Sequence, residues 1–408
     1  MSAIVDQWLE GYVRLQPERL ADPYPLFRQL RAEAPVYWSA LINGWVLTGY
    51  DVIVALLRDA RVSSKRHTAT RTQLPEEARE ATQALRQHLL LMMGNSDPPD
   101  HTRLRALVNK AFTPRMVETM RPRIQAIADA LLDVVQLQGQ MDVIWDFAYP
   151  LPMIVICELL GIPPRDRERF KHWSDDIVAF IAAGQPSAER AQRAQASLWA
   201  MAEYFRVVVA ERRRHPGADL LSQLVTAEEH GQRLSEGELL AMCNSLLFGG
   251  HETTTNLIGN GALALLRHPD QWQHLQAEPA LIPTAVEELL RYDSPVQRLE
   301  RFATEDFDLG GQPIRAGDRL WPMLGAANRD PAQFPEAECL NVHRQPNAHL
   351  AFAHGPHFCI GAPLARLEGQ IAFGTLARCL PRLHLATDSV RWREILAHRG
   401  LASLPVAF

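Results

Sequence analysis

One of the five cysteines lies in a loop of glycine, proline and histidine, and this setting is the first sign of chemistry in the chain. Residues 352–361 read FAHGPHFCIG, which places Cys359 between two glycines with two histidines just upstream. The thiolate form of cysteine is both a nucleophile and a metal ligand. The segment is therefore a candidate reactive or metal-binding loop, with an ordinary buried cysteine as the alternative.

A second candidate site lies in a segment with a helical pattern that contains poor helix formers. Residues 249–255 read GGHETTT, and each mid-helix glycine costs about 1 kcal/mol relative to alanine. One explanation is a place where two helix backbones touch, with threonines bonded to the carbonyls four residues earlier. The other is a ligand pressed against the helix, admitted by the glycines, with threonine and glutamate moving protons.

Composition and cysteine spacing exclude several classes of protein. The net charge of -5 and the pI of about 6.3 give no basic character for nucleic-acid binding. The cysteines are odd in number and never form Cys-x-x-Cys, which argues against a disulfide framework or a four-cysteine zinc site. The most apolar stretch, LPMIVICELLGI, is shorter than the roughly 20 residues that span a bilayer, and the N-terminus lacks a signal-peptide pattern. We therefore expect a cytoplasmic protein with reduced thiols and no membrane anchor.

Helix signals dominate the chain. Ser235 and Glu238 fit the S-x-x-E capping box and predict a helix of about 30 residues that includes GGHETTT and crosses the centre of a domain. Pairs of a capping residue and a proline predict further helix starts at residues 22–23, 97–99 and 113–114, the last opening a run to Gln138. The segment LPMIVICELLGI is predicted to be a core helix.

Strand signals are few and local. VYWS and WVLTGY predict a hairpin near the N-terminus, residues 299–328 a second β-rich patch, and LASLPVAF a terminal strand. Residues 63–96 have the least regular pattern and are a candidate mobile helix–loop segment. The length fits one large domain or two ordinary ones.

Three segments together resemble the cytochrome P450 family. The cysteine loop matches the heme-binding pattern F-x-x-G-x-[HR]-x-C-x-G, GGHET is similar to the oxygen-binding helix motif [AG]-G-x-[DE]-T, and Glu288 with Arg291 resembles the E-x-x-R pair. They occur in the family's order, and DHTRLR, RFATEDFDLGG and AANRDP resemble further segments of soluble bacterial members. The resemblance covers about Asp22 to Phe408. It implies a single, mostly α domain over residues 1–408 with a small β region, a long central helix over a heme, and the cysteine loop on the opposite face.

One position departs from the family pattern. After AANRDPAQFP the family usually carries Arg-Phe, and this chain has Cys339 and Leu340. In the family that arginine commonly completes a salt-bridge network with the E-x-x-R pair. Glu288 and Arg291 are expected to support the cysteine loop structurally, and the departure leaves open which groups bind them.

The resemblance implies a cofactor and the residues that hold it. The cofactor would be heme b, iron protoporphyrin IX, with Cys359 as its axial thiolate and metal ligand. Gly355 and Gly361 would let the loop turn so that backbone N–H groups tune the sulfur, and Phe352 would shield it from water. Gly250 would let the heme approach the long helix. The cations expected to bind the two propionates are His101, Arg105, Arg301 and His357. Without the family motif, Arg105 would be interpreted as part of a solvated helix face.

The implied reaction is activation of O₂, with one oxygen atom inserted into a C–H bond or added to a C=C bond and the other released as water. Thr253 would hold the oxygen substrate and a water, and Glu252 would supply protons. Two rival functions are a peroxygenase that uses H₂O₂ directly and a heme-thiolate protein that only binds a ligand or gas. The Glu252–Thr253 pair argues against both, because neither needs proton delivery to O₂.

The resemblance also places the substrate and the electron donor. A mid-sized, mostly apolar substrate would contact Ser245, Phe248 and Gly249 on the long helix, Val296 at the side, and Leu90 and Met92 in the roof. Arg66 or Arg71 would bind a carboxylate at the mouth, with a solvated basic loop as the alternative. Electrons would come from a separate ferredoxin or flavodoxin with its NAD(P)H-dependent reductase. Arg103, Lys110 and Arg115 would attract that acidic partner, unless they are merely solvated charges.

Overall fold

The computed structural model describes residues 3–65, 83–181, 188–228 and 230–408. These residues form two compact units. The first comprises Met1–Val62, Met120–Leu151 and Glu252–Phe408, and the second comprises Ser63–Thr119 and Pro152–His251. The expectation of one domain over residues 1–408 stays a prediction. Arg66 and Arg71 lie outside the described residues.

Most of the described chain is helical, as the sequence predicts. The α-helices are α1 (Ala3–Val13), α2 (Pro17–Ala21), α3 (Tyr24–Glu33), α4 (Tyr50–Arg58), α5 (Gln83–Leu90), α6 (Asp100–Ala111), α7 (Pro114–Thr119), α8 (Arg121–Gln136), α9 (Pro150–Leu159), α10 (Arg167–Ile181), α11 (Ala188–Arg214), α12 (Leu220–Thr226), α13 (Glu236–Arg267), α14 (Pro269–Ala277), α15 (Ile282–Tyr292), α16 (Leu324–Ala327) and α17 (Ala362–Cys379). Short 3₁₀ turns include Met93–Asn95 and Gly355–His357, and Val143–Ala148 forms a π-helix.

The strands are short and belong to small sheets. They are β1 (Val36–Ser39), β2 (Gly44–Leu47), β3 (Val62–Ser63), β4 (Gln140–Asp142), β5 (Arg301–Ala303), β6 (Phe307–Leu309), β7 (Gln312–Ile314), β8 (Arg319–Pro322), β9 (His384–Leu385), β10 (Arg391–Trp392), β11 (Leu401–Ser403) and β12 (Pro405–Ala407). The largest sheet has the order β1-β2-β8-β5-β3, with β1 antiparallel and β8 parallel to β2. The predicted hairpin and the β-rich patch are present, but the predicted terminal strand is two strands, because β11 pairs with β10 and β12 pairs with β4 and β9 in another sheet.

The long helix α13 begins at the predicted capping box. The Ser235 N–H donates to Glu238 Oε2 over 2.8 Å, and the Glu238 N–H donates to Ser235 Oγ over 3.3 Å. These reciprocal bonds satisfy two of the donors that a helix N-terminus leaves unpaired. The helix is 32 residues long, which confirms the prediction of about 30.

Two further sequence-based expectations for local structure need correction. The run from Pro114 to Gln138 is two helices, because α7 ends at Thr119 and α8 begins at Arg121. The strands β4, β9 and β10 were not predicted, since two or three residues cannot show an alternating pattern.

Each unit has its own apolar packing. In the first unit, α17 packs against α8 and α15, and buried side chains of β2 and β8 such as Leu47 and Leu320 join a core with α4. In the second unit, α10 packs against α11, where Phe170 contacts the rings of Trp173, Tyr204 and Phe205. Among the residues that the structure describes, no helix is long and apolar enough to cross a membrane.

Candidate functional site

The cysteine loop in the first unit has a backbone that requires glycine. Gly355 has φ +71°, and a Cβ built there would lie 2.4 Å from the carbonyl oxygen of Leu57. Any larger residue would therefore be strained and would collide with α4. The loop closes through a hydrogen bond of 3.0 Å from the Cys359 N–H to the Phe352 carbonyl, and α17 begins at Ala362 directly after it. The Cys359 side chain is exposed.

The other cysteines differ from Cys359 in their surroundings. Cys157 and Cys243 are buried, and burial raises the pKa of both thiols, that of Cys157 to about 12. Both are therefore protonated and unreactive. Cys379 is half-buried as the last residue of α17, and Cys339 is exposed.

The donor set around Cys359 fits a metal that brings its own ligands. Within the described ranges, no group of three or more His, Cys, Asp or Glu side chains could hold a bare ion. A single exposed thiol on a tightly turned loop could serve as the one protein ligand of an iron whose remaining ligands come from a porphyrin. The residues present therefore fit a heme at this loop.

The E-x-x-R pair lies at the centre of a buried network in the first unit. Arg291 and Glu288 are completely buried and form two hydrogen bonds of 2.7 and 2.8 Å. Arg291 also donates to the backbone carbonyls of three residues, Asn328, Ala337 and Cys339. A buried guanidinium needs this many acceptors, because an unpaired buried charge is very costly.

Arg344 also binds the buried carboxylate of Glu288. Its Nε lies 3.1 and 3.2 Å from the two carboxylate oxygens of Glu288, and its other nitrogens donate to the carbonyls of Pro335, Glu336 and Cys339. Asn347 donates to the same carboxylate over 3.1 Å. Glu288 therefore has a second arginine, and position 339 contributes only its backbone. The sequence showed the departure from the family pattern at Cys339, but it did not show that Arg344 binds Glu288.

The middle of α13 carries a stripe that protein side chains leave uncovered. Between Leu239 and Ala262, the helix is buried except at Ser245, Phe248, Gly249, Gly250 and Thr253. Ser245, Gly249 and Thr253 are spaced by four residues, so they share one face of the helix. The stripe consists of predicted substrate-contact and catalytic positions.

The two paired glycines have different surroundings. A Cβ built on Gly250 would lie 3.1 Å from Ile156 of α9, so this glycine allows close helix packing. A Cβ on Gly249 would have no atom of the described residues within 4 Å, so packing among them does not explain this glycine. The packing explanation therefore holds for Gly250, and the ligand explanation stays a prediction for Gly249.

Glu252 is buried on α13 and forms an ion pair with Arg393, which follows β10. The Arg393 side chain is 31% exposed, so it connects the buried carboxylate with the protein surface. Sequence analysis missed Arg393, because the pair is separated by 141 positions and nothing in the local pattern marks it. His251 is also buried, with Nδ1 3.0 Å from the Leu247 carbonyl.

The expected propionate ligands occupy defined elements in each unit. Arg301 is buried on β5 and donates to the Glu300 carbonyl over 2.8 Å, and His357 lies in the 3₁₀ turn of the cysteine loop. In the second unit, His101 is buried on α6 and Arg105 follows one turn later, half-buried. Val296, in the first unit, is half-buried and pairs through its backbone with His398.

The predicted roof residues lie at the end of α5 in the second unit: Leu90, its last residue, is half-buried, and Met92, two residues later, is buried. His88 of α5 contacts Asn244 of α13, with 2.9 Å between Nε2 and the amide nitrogen. Burial lowers the pKa of His88 to about 4, so the ring is neutral at pH 7 and can accept this hydrogen bond. The contact ties the roof segment to the helix that carries the stripe.

Three cations expected at a docking surface differ in availability. Arg103 is half-buried and forms an ion pair with Glu238, so it is not presented as a free charge. Lys110 is exposed and donates to the Glu228 carbonyl over 2.7 Å, and Arg115 is exposed. Only the last two remain candidates for a surface charge patch.

Comparison with known proteins agrees with these motifs. Residues 46–389 match the family model described as Cytochrome P450. The chain is 42% identical over 393 residues to the biotin biosynthesis cytochrome P450 of Bacillus subtilis, covering 96% of this chain and 97% of that protein. It is 43% identical over 392 residues to the vitamin D(3) 25-hydroxylase of Pseudonocardia autotrophica, covering 94% and 93%.

A solved structure shows the same fold. The crystal structure of P450BioI in complex with hexadec-9Z-enoic acid ligated acyl carrier protein superposes with a TM-score of 0.90 at 41% identity, covering 96% of this chain and 99% of that chain. The mostly α architecture with a small β region is thus the P450 fold. The chain belongs to the cytochrome P450 family and is a heme-iron monooxygenase.

Proposed function

We propose that this enzyme uses heme b held by Cys359 to insert one atom of O₂ into a mid-sized, mostly apolar substrate, by hydroxylation or epoxidation. The observation that carries the proposal is the uncovered stripe on α13, where Phe248 and Gly249 provide apolar space and Thr253 provides a hydroxyl. An otherwise buried helix leaves these positions uncovered at the motif of the family's oxygen-binding helix.

The proposed roles of the protein side chains follow from their chemistry. Cys359 donates its thiolate to the iron, and Phe352, buried beside it, limits access of water to the sulfur. His101, Arg105, Arg301 and His357 neutralise the propionates. Gly250 and Gly361 keep the helix and the loop free of bulky side chains. When bound, a heme with a thiolate ligand supplies the capacity to cleave the O–O bond.

Proton delivery is assigned to two neighbouring residues on α13. The Thr253 hydroxyl, half-buried on the stripe, donates a hydrogen bond to the oxygen substrate and holds a water there. Glu252 is one residue away, and its ion pair with Arg393 reaches the surface. A carboxylate at this position can pass protons from solvent toward Thr253.

The apolar character of the substrate is supported by the side chains and by the relatives. Phe248, Leu90, Met92 and Val296 are apolar, and Ser245 offers one polar group. One relative is named for hydroxylating vitamin D(3), and another was crystallised with a hexadecenoyl-loaded carrier protein. We infer an apolar substrate of this size range, with electrons from a ferredoxin or flavodoxin and its reductase.

The assignment is tested by turnover of one substrate under two regimes. Compounds are first chosen by a low-to-high spin shift of the ferric heme. Product is then measured under ¹⁸O₂ with NADH, a ferredoxin and its reductase, and separately with H₂O₂ alone. We expect ¹⁸O in the product and a strong dependence on the redox partners. Efficient turnover with H₂O₂ but none with O₂ would instead establish the peroxygenase, and spin shifts without turnover in either regime would establish the ligand-binding protein.

A variant tests the ligand assignment itself. In the reduced, CO-bound protein, thiolate ligation moves the Soret band strongly to longer wavelength. Cys359→Ala is expected to lose this shifted band. Cys243→Ala is the matched control, because Cys243 is buried on α13 and is protonated; this variant should keep the band. A band that survives Cys359→Ala would refute Cys359 as the ligand.

A further inference from the structure

Two adjacent glutamates on α15 belong to different networks. Glu288 is completely buried and binds Arg291 and Arg344, as described above. Glu287 points to the segment around the cysteine loop and binds Arg366 of α17 and His349. The second network contains no residue to which the preceding sections assign a role, apart from Phe352.

The Glu287 carboxylate is a fixed anionic acceptor. Arg366 donates to it through Nε over 2.7 Å and through a terminal nitrogen over 2.8 Å, which is the strong two-bond geometry of arginine with a carboxylate. Burial alone would raise the pKa of Glu287, but hydrogen bonds from His349 and Arg366, together with the positive charge of Arg366, lower it to about 2. Glu287 is therefore ionised at every pH near neutrality.

His349 is oriented from both sides of its ring. Its Nε2 lies 3.1 Å from Glu287 Oε2, and its Nδ1 accepts a hydrogen bond of 3.2 Å from the Ala351 N–H. Because Nδ1 is an acceptor, the ring hydrogen is on Nε2 and is donated to the carboxylate. The side chain is almost completely buried, so the ring has one defined position.

Both partners of Glu287 contact the ring of Phe352. The Arg366 guanidinium carbon lies 4.6 Å from the ring centroid, which is a cation–π distance, and the His349 ring centroid lies 5.9 Å from it. The backbone carbonyl of Phe352 in turn accepts the hydrogen bond from the Cys359 N–H. A continuous set of contacts thus joins Glu287 to the cysteine.

We propose that Glu287 is a positioning residue for the cysteine ligand: it holds Arg366 and His349 against Phe352, and thereby fixes the residue whose carbonyl binds the Cys359 backbone. The inference rests on the proposed role of Cys359 as the heme ligand. Groups that hold a metal ligand in place set its geometry and basicity, and their loss commonly costs 10- to 100-fold in affinity or activity. Glu287 acts only through Arg366, His349 and Phe352.

The test uses the heme-loaded protein and two measurements that a merely structural role would leave unchanged. Glu287→Gln keeps the shape but removes the charge, and Arg366→Met removes the cation–π contact and both hydrogen bonds. We expect both to shift the heme reduction potential and to raise the rate at which the CO-bound protein loses its thiolate Soret band by about tenfold. Arg366→Lys keeps the charge without the planar fork and should fall between Arg366→Met and the unchanged protein.

A matched control is available on the same helix. Arg378 of α17 also pairs with a carboxylate, Asp129, over 2.6 Å, but it does not contact the cysteine loop. Arg378→Met is expected to leave both measurements unchanged. If Glu287→Gln and Arg366→Met match this control, or lower only the melting temperature, the inference is wrong. If Glu287→Gln yields no folded protein, the comparison of Arg366→Lys with Arg366→Met decides.

Failure of this inference is distinguishable from failure of the proposed function. A thiolate Soret band that is present in the unchanged protein and absent in Cys359→Ala establishes the ligand. Unchanged potentials in the Glu287 and Arg366 variants would then overturn only the positioning role.

Discussion

The cysteine loop and the middle of α13 both contain glycines where local preference disfavours them, but for different reasons. Gly355 is required by the protein itself, because its φ is +71° and a Cβ would lie 2.4 Å from the Leu57 carbonyl oxygen. Gly249 lies in regular helix, and a Cβ there would contact nothing within 4 Å. The first glycine therefore serves the architecture, and the second leaves space beside it that no atom of the described residues fills.

The polar groups of the two regions differ in the same way. Around the cysteine loop, Glu288 and Glu287 are each held by two basic side chains. On α13, Thr253 lies half-buried on the uncovered stripe. A region in which internal bonds hold each carboxylate is built to stay rigid, whereas a half-buried side chain on an uncovered helix face keeps part of its surface open.

The largest effect is expected from breaking the rigid region at its centre. Removing one partner of a buried ion pair costs about 3–5 kcal/mol, since the other charge stays buried and unpaired. Glu288→Gln should therefore lower the free energy of unfolding by this amount, measured by urea titration. The control is Glu203→Gln, whose exposed partner Arg206 has the same i, i+3 spacing; the expected cost there is below about 1 kcal/mol. Equal losses in the two variants would show that Glu288 has no special structural role.

A pair of identical substitutions tests the comparison directly. Gly355→Ala is expected to destabilise the protein by at least about 2 kcal/mol, from the left-handed backbone and the clash with α4. Gly249→Ala is expected to leave stability unchanged or to raise it by up to about 1 kcal/mol, because alanine favours helix. The same Gly249→Ala variant should change the affinities for compounds that shift the heme spin state. Loss of stability at Gly249 with unchanged ligand binding would reverse the assignment of the two glycines.

A smaller effect is expected at the hydroxyl on the stripe. Thr253→Ala should keep the fold, the heme and substrate binding, but divert reduced oxygen to H₂O₂, because the hydrogen bond that holds the oxygen substrate is lost. The measurement is product and peroxide formed per NADH oxidised. Thr254→Ala is the control, since Thr254 is buried away from the stripe. An unchanged ratio in Thr253→Ala would remove Thr253 from the proposed mechanism.

Local features of the fold and the site could be predicted from the sequence. The capping box at Ser235 fixes a helix start through two bonds between neighbouring residues, and the N-terminal hairpin shows in two runs of strand-forming residues. The cysteine loop is recognisable because its family motif lies within ten residues. Each of these signals depends on residues close together in the chain.

Contacts between distant residues could not be predicted in this way. Arg344 is 56 positions from Glu288, and Arg393 is 141 positions from Glu252. An arginine can bind any carboxylate that the fold brings within reach, so its local sequence does not indicate its partner. Packing was one of two explanations for the paired glycines, but the sequence could not show that Gly250 is the one that packs or that its partner is Ile156.

The smallest expected effect concerns the electron donor. Lys110 and Arg115 are exposed, whereas Arg103 is already paired with Glu238. If an acidic ferredoxin binds near α6 and α7, reversing both charges should slow heme reduction at low ionic strength several-fold, and the difference should fade as salt screens the attraction. The measurement is the reduction rate from about 10 mM to about 500 mM salt, where the Debye length falls from about 30 Å to less than 10 Å.

Arg165 and Arg190, exposed on the same unit, supply a charge-matched control. Because reversing them changes the net charge equally, equal slowing in both double variants would mean that overall charge, rather than a patch at Lys110 and Arg115, governs the encounter.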